Sequence, residues 1–234
     1  MTGAARVAHV YYADRRALAD EAVAALVTAD DRQRVTATMH ARRSAEYLAG
    51  RALLRHALAR HTGRSPASFR IETSDDGKPR CADGPAVSVS HSGNIVVCAL
   101  ADVGAVGVDV ETGTPRALIT LAERYFTADE ARWVAADPVP RFRMLWVLKE
   151  AYLKALGVGL AGGLRSLECR IEPPTVAART ADGSATPQLA LLQGNGCCIG
   201  VASLVTTRID VRTQHAAFGG GADSVGPLEM VATT

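Results

Sequence analysis

The sequence lacks the features that direct a chain into or across a membrane. No apolar run approaches the length needed to span a bilayer. The opening residues, Met1-Thr2-Gly3-Ala4-Ala5-Arg6, carry no long apolar segment behind a basic one, so no secretory signal is expected. Charge of one sign is scarce: 26 lysines and arginines against 24 aspartates and glutamates leave a net +2. That balance gives no whole-protein electrostatic argument for nucleic acid. The five cysteines, at 81, 98, 169, 197 and 198, are odd in number and form no C-x-x-C pair. They read as reduced and structural in a cytoplasmic protein, without a metal–thiolate site.

Several catalytic signatures are also missing. Ser90-His91 invites a hydrolase reading, but there is no G-x-S-x-G elbow. Neighbours on a strand point to opposite faces, which spoils a direct Ser–His contact. Gly157-Val158-Gly159-Leu160-Ala161-Gly162 fits G-x-G-x-x-G by letter but follows a helical pattern rather than a strand, so the dinucleotide-binding context is absent. It reads as a helix exit. Gly77-Lys78 resembles the end of a phosphate-binding loop, but Glu72 stands where the first glycine belongs and Pro79 where serine or threonine belongs.

What is present is an ordinary globular composition, 48% hydrophobic and 21% charged over 234 residues, enough for one large domain or two small ones. A strand is expected at Val7–Tyr12, helical spacing at 14–27 and a longer helical region at about 30–61, closed by Gly63-Arg64-Ser65-Pro66. Strand-like runs follow at Phe69–Glu72, Ala86–Ser90, Ile95–Leu100 and Val106–Glu111, the Ala86 and Ile95 runs joined by a tight hairpin. Helices are expected at 116–125, after Thr127 with Glu130 completing a capping box, and at 138–156; strands return at 166–171, 189–192 and 197–205. Residues 1–112 and 113–215 therefore read as two α+β parts, with a Gly-rich, polar tail at 216–234 expected to be disordered.

The chemistry concentrates in two segments. In Gly107-Val108-Asp109-Val110-Glu111 the two acids are two apart and share one strand face, with Val108 and Val110 on the other. Two carboxylates on one face repel unless something positive sits there, although a solvated strand edge also fits. In Trp146-Val147-Leu148-Lys149-Glu150-Ala151-Tyr152-Leu153-Lys154, residues 146, 150 and 154 are four apart and share a helix face. Read alone, Glu150 and Lys154 can be a simple i,i+4 pair, and Trp146 a packing anchor. Brought together, the segments offer a cluster of hard oxygen ligands flanked by ammonium groups, suited to Mg²⁺ and a polyphosphate. Arg32, Arg34, Arg42, Arg43, Arg51, Arg55 and Arg60 crowd the first quarter. A solvated helix face and an anionic partner both fit them.

These residues also carry a resemblance. Gly-x-Asp-x-Glu followed by Trp-x-x-Lys-Glu-Ala-x-x-Lys resembles the signature pair of surfactin-type 4′-phosphopantetheinyl transferases. Gly77-Lys78-Pro79, Ser88-Val89-Ser90-His91-Ser92-Gly93 and Tyr125-Phe126-Thr127-x-x-Glu130 fall in the same order, over roughly residues 42–160. The resemblance implies two similar α+β halves related by a pseudo-twofold axis, the site between them, in a monomer. It implies Mg²⁺ on Asp109, Glu111 and Glu150, and coenzyme A as substrate. Ser90 and His91 would contact its phosphates, and Lys78 and Pro79 would line its nucleotide pocket. Arg43 and Arg51, together with Arg42, are candidates for its 3′-phosphate, while Glu46 departs from a position that is basic in some relatives. Lys149 and Lys154 would neutralise the pyrophosphate, and Glu150 would serve as base, directly or through a metal-bound water. The product would be a loaded acyl or peptidyl carrier domain of a polyketide, nonribosomal-peptide or fatty-acid synthase, plus 3′,5′-ADP. The other readings are a non-catalytic module that binds coenzyme A or a carrier, and a metal-dependent phosphohydrolase.

Overall fold

A long helix lies across each of two sheets. The computed structural model describes residues 6–35, 39–74, 77–113, 116–194, 196–205, 209–216 and 228–234. The first part runs β1 (Arg6–Asp14), α1 (Asp20–Leu26), α2 (Ala29–Gln33), α3 (Ala41–Thr62), β2 (Ile71–Thr73), β3 (Pro79–Cys81), β4 (Ala86–Ser92) and β5 (Ile95–Ala101). Then come β6 (Val106–Glu111), α4 (Leu118–Tyr125), α5 (Ala128–Ala136) and α6 (Pro138–Leu156). The chain continues with β7 (Leu167–Glu172), β8 (Thr175–Thr180), β9 (Gln188–Gly194), β10 (Cys197–Ser203), β11 (Ile209–His215) and β12 (Glu229–Thr233). One sheet has the order β11-β1-β5-β4, the other β6-β10-β9-β12-β8-β7, and β2-β3 form a small hairpin.

Strand alternation sorts the apolar residues into layers. Val10, Tyr12, Val97 and Ala99 of the first sheet meet Val108, Val110, Ile199 and Val201 of the second in a shared core between the sheets. The opposite face of the first sheet, with Tyr11, Cys98 and Leu100, is covered by Leu53, Leu54 and Leu58 of α3. The opposite face of the second, with Leu189, Leu191 and Cys198, is covered by Leu145, Leu148 and Tyr152 of α6. Both long helices end on a left-handed glycine, Gly63 (φ 74°) and Gly157 (φ 78°). The Gly157–Gly162 run is thus a helix exit, as its position after a helical pattern predicts.

The structure departs from the sequence-based expectations in four places. The long helical region at 30–61 is two helices, α2 and α3; α2 carries a capping box from Thr28 and Asp31. Residues 14–27 hold a three-residue 3₁₀ turn before α1 rather than one helix. The division at 112 runs through the pairing pattern: β6 is laddered to β10 in the second sheet, while β11 lies parallel to β1 in the first. Finally, the tail is not wholly disordered, because β12 pairs with β9 and touches β8; residues 217–227 of that expectation lie outside the described residues.

Two glycines set how closely α6 approaches its sheet. A Cβ built on Gly107 would fall far inside van der Waals contact with the Ala151 carbonyl oxygen, and one on Gly200 with the Val147 carbonyl oxygen. Gly200 is the cross-strand partner of Asp109, so the helix backbone rides directly over the strand position that carries the acid. Gly107→Ala is expected to destabilise the fold by about 2–3 kcal/mol or more, since backbone must move to admit one methyl. Urea unfolding of the variant checks this; an unchanged midpoint would show that α6 can shift freely.

Candidate active site

β6 and α6 bring the acids together. Asp109 and Glu111 point to the α6 side of β6, opposite Val108 and Val110, as the alternation requires. Asp109 is 6% exposed, and its Oδ1 accepts hydrogen bonds from Lys154 Nζ and Ser90 Oγ, each at 2.7 Å. Its Oδ2 is buried without a hydrogen-bond partner among the described residues. Glu111 Oε2 accepts from Ser92 Oγ at 2.9 Å. Burial raises the Glu111 carboxyl above its ordinary range, and the charge of Asp109 pushes it further the same way. Glu150 is raised by burial and then by Asp109 and Glu111, with Lys154 and Lys78 acting in the opposite sense. The three acids therefore feel one another, and Lys154 offsets only part of their charge.

Among the described residues no group of three His, Cys, Asp or Glu side chains closes into a formed metal site. The donors nonetheless suit a hard divalent cation. All are carboxylate oxygens, one is buried without a partner among the described residues, and two are raised by burial and then by neighbouring acids, a charge that a cation would offset.

β4 holds the acids in place. Ser88, Ser90 and Ser92 share one strand face, and each reaches across to β6: Ser88 Oγ accepts from Val108 N–H at 3.0 Å, Ser90 donates to Asp109, and Ser92 donates to Glu111 while accepting from Thr112 N–H at 3.1 Å. The Ser90 hydroxyl is buried and donates to Asp109, so it orients that carboxylate. The seam was missed in the sequence, although serines at 88, 90 and 92 are a readable one-face pattern.

Lys149 departs from its expected place beside a phosphate. It is 0% exposed, and its ammonium pairs with Glu130 Oε1 at 2.8 Å, donates to the carbonyls of Leu164 and Leu167 and lies over the Phe126 ring. Glu130 also accepts from Cys169 N–H at 2.8 Å while completing the Thr127 capping box. Consecutive helix residues lie about 100° apart. With Glu150 facing the cleft, Lys149 is turned into the core, away from any phosphate.

The remaining residues line cavities beside the acids. Arg43, Glu46, Tyr47, Arg51, Pro79 and His91 surround one of about 140 Å³. Lys78, Pro79, Ser88, Glu150 and Lys154 line a larger one of about 780 Å³, and the two cavities share Gly77, Pro79 and Val89. Arg43 Nη1 lies 2.8 Å from His91 Nε2, and the other ring nitrogen faces Glu46 Oε2 at 3.7 Å. Burial lowers the His91 pKa below the ordinary histidine value. Arg51 is 4% exposed and bound to Tyr47 and Thr73, with Asp31 at 3.6 Å. Trp146 stacks on Phe142 at 5.5 Å and meets Tyr125 edge-on, a packing anchor; with Glu111, Leu121 and Arg143 it lines a third cavity of about 160 Å³. Arg143, unnoticed in the sequence, lies seven residues before Glu150 on the same helix face.

Residues 105–201 match the 4′-phosphopantetheinyl transferase superfamily, and residues 30–101 match the 4′-phosphopantetheinyl transferase N-terminal domain. The 4′-phosphopantetheinyl transferase HetI of Nostoc sp. is 30% identical over 190 residues, covering 77% of this chain and 79% of that protein. The chain belongs to the 4′-phosphopantetheinyl transferase superfamily. It is a transferase of the surfactin type, similar also to psf-1 of Bacillus pumilus (35% over 148 residues, 61% of this chain and 59% of that protein) and to Sfp of Bacillus subtilis (28% over 158 residues, 65% and 70%). The join between the two matched segments falls between β5 and β6, on the side of the boundary that the sheet pairing favours.

Two stability measurements test the site in this transferase. Breaking the buried pair with Lys149→Met leaves Glu130 unneutralised and should cost about 3–5 kcal/mol, whereas Lys149→Met combined with Glu130→Gln should recover much of that loss in urea unfolding. Additive losses would mean that the two groups are not coupled. Glu150→Gln should instead raise the melting temperature in metal-free buffer near neutral pH. A raised folded-state carboxylate pKa makes ionisation costly to the fold above the ordinary carboxylate range, so the gain should shrink as pH falls towards that range. An unchanged or lower melting temperature would show that the ionised Glu150 carboxylate costs the fold nothing.

Proposed function

We propose that this transferase moves the 4′-phosphopantetheine arm of coenzyme A onto a serine of an apo acyl or peptidyl carrier domain, releasing 3′,5′-ADP. What supports this most is the convergence of Asp109 and Glu111 from β6 with Glu150 and Lys154 from α6, beside cavities lined by Lys78, Pro79 and His91. Asp109, Glu111 and Glu150 would hold Mg²⁺, with the unspent Asp109 oxygen as a ready donor. When bound, the ion would offset the charge of the pyrophosphate.

The protein's own groups do the rest. The serine oxygen forms a bond to the phosphorus attached to pantetheine, and the bond from that phosphorus to the leaving nucleotide oxygen breaks. Glu150 takes the hydroxyl proton; a raised carboxyl is better matched to that task than an ordinary one. Lys154 gives its charge to the leaving oxygen, and Asp109 holds that ammonium in place beforehand. Ser90 and Ser92 keep Asp109 and Glu111 aimed at the cleft. Lys78, Pro79, Arg43, Arg51 and His91 receive the nucleotide. No covalent intermediate on the protein is needed.

The carrier belongs to a polyketide, nonribosomal-peptide or fatty-acid synthase, and the enzyme works as a monomer in the cytoplasm. Among the described residues no helix is long and apolar enough to cross a membrane.

The deciding experiment incubates the protein with coenzyme A, Mg²⁺ and an apo carrier and weighs the carrier by mass spectrometry. A gain of one phosphopantetheine arm is expected. Free phosphopantetheine without a loaded carrier would mean hydrolysis, and no change would mean a binding module. Glu150→Gln should lower transfer by at least about 100-fold while staying folded. Asp109→Ala should shift the Mg²⁺ titration; an unchanged titration would remove Asp109 from the ligand set.

A further inference from the structure

The chain leaves α6 along the wall of the larger cavity. Gly159 lines that space of about 780 Å³ together with Glu150, Lys154 and Leu156, with Lys78 and Val87 on the β3–β4 side. Both ends of the segment are fastened. At its start the Gly157 and Val158 N–H groups donate to the Leu153 carbonyl at 3.0 and 3.3 Å, which closes the helix. At its end Leu164 is 3% exposed and its carbonyl accepts from Lys149 Nζ at 2.8 Å, while Arg165 Nε donates to the Phe126 carbonyl at 2.8 Å. Between these anchors lies one 3₁₀ turn, Gly159–Gly162, which closes locally: Gly163 N–H donates to the Leu160 carbonyl at 3.0 Å.

Two features set this stretch apart from an ordinary connection. Leu156, Val158 and Leu160 are 41%, 46% and 60% exposed, so three of the six exposed large hydrophobic residues among the described residues fall within five positions. Aliphatic groups left in water gain from being covered, and the cavity that Gly159 lines is a concave surface beside them. The glycines, moreover, are not there to admit a close neighbour. Gly159 (φ 57°) and Gly163 (φ 75°) hold left-handed backbone, yet a Cβ on either would meet nothing within 4 Å. They act as two pivots in open space. Fixed ends, free pivots and uncovered aliphatic side chains at the edge of a site are the parts from which closing loops are made.

We infer that residues 158–163 form a strap that closes over the mouth of this cavity when the donor enters it, carrying Leu160 from solvent onto the bound molecule. The inference rests on the reading of coenzyme A as that donor. Closure removes water from beside Glu150 and Lys154, which strengthens the attraction of Lys154 for the departing oxygen. Lys149 holds the fixed end of the strap from inside the core, so closure leaves the direction of Glu150 unchanged.

Amide exchange read by mass spectrometry on the full chain, with and without coenzyme A and Mg²⁺ and without carrier, tests the strap independently of transfer. Amides of residues 158–163 should exchange at least about fivefold more slowly when coenzyme A is bound. Leu160→Ser should weaken coenzyme A binding by about fivefold or more in isothermal titration. Met230→Ser removes a comparably exposed apolar side chain from β12 and should bind as wild type, with circular dichroism confirming that both variants are folded. Unchanged exchange at 158–163 in the bound protein, or a Leu160→Ser affinity equal to wild type, overturns the strap. Protection that appears only on adding an apo carrier also overturns it and makes the segment a docking surface. Absence of any coenzyme A binding would sink the donor reading and the strap with it. Protection and weakened binding as stated, but no loaded carrier, would sink the transfer reading and leave the strap standing.

Discussion

The approach of α6 to β6 and β10 is closer than any side chain would allow, and the candidate site depends on it. Gly107 and Gly200 leave bare backbone where the helix crosses, on either side of the Asp109 position. That contact lets Lys154 Nζ come within 2.7 Å of Asp109 Oδ1. It also brings Glu150 into the field of both strand acids. The rotation of α6 is fixed from its other face by Lys149, buried against Glu130 and two carbonyls. Distance and rotation together leave Glu150 a single direction to face.

A second device fixes the strand side. β4 and β6 belong to different sheets, yet three serines on β4 bind β6 through their hydroxyls. Two of the three grip the acids themselves. The seam therefore joins the halves and aims the carboxylates with the same hydrogen bonds. It also explains why the site can lie between two sheets without relying on an apolar interface at that edge. Net hydrogen-bond energies are modest, but leaving a buried carboxylate without partners is costly, so the geometry is enforced by the penalty for breaking it.

Local signals were legible in the sequence and long-range ones were not. Pro138 and Gly157 delimit α6 as expected, because helix starts and stops are set by residues within a turn of the boundary. The Thr127–Glu130 capping box holds for the same reason. The alternation in β6 correctly separated the valines from the acids. By contrast, the partners of β11 and β12 lie far away in sequence, and nothing in Ile209–His215 says that it pairs with β1. Lys149 was misplaced because the resemblance set it with Lys154 on the pyrophosphate, whereas a helix turns residues five apart to different faces and this one is buried against Glu130. The Ser90–Asp109 hydrogen bond was not legible because the partner is nineteen positions along the chain, on a strand of the other sheet.

The charge bookkeeping separates site from scaffold. Elsewhere the buried acids are matched: Glu130 by Lys149, Asp31 by Arg55 and Asp14 by Arg16. Of these, Asp14 and Asp31 have carboxyl pKa values below the ordinary range, as paired acids should. In the cleft the three acids have one ion-pair partner among the described residues, Lys154 on Asp109, and the other two acids move the opposite way. Folding by itself gains nothing from that arrangement, since a second lysine or a glutamine in place of Glu150 would relax it. An unneutralised cluster that is nevertheless fastened by serines and by a glycine-enabled helix crossing is explained if the missing positive charge arrives from outside.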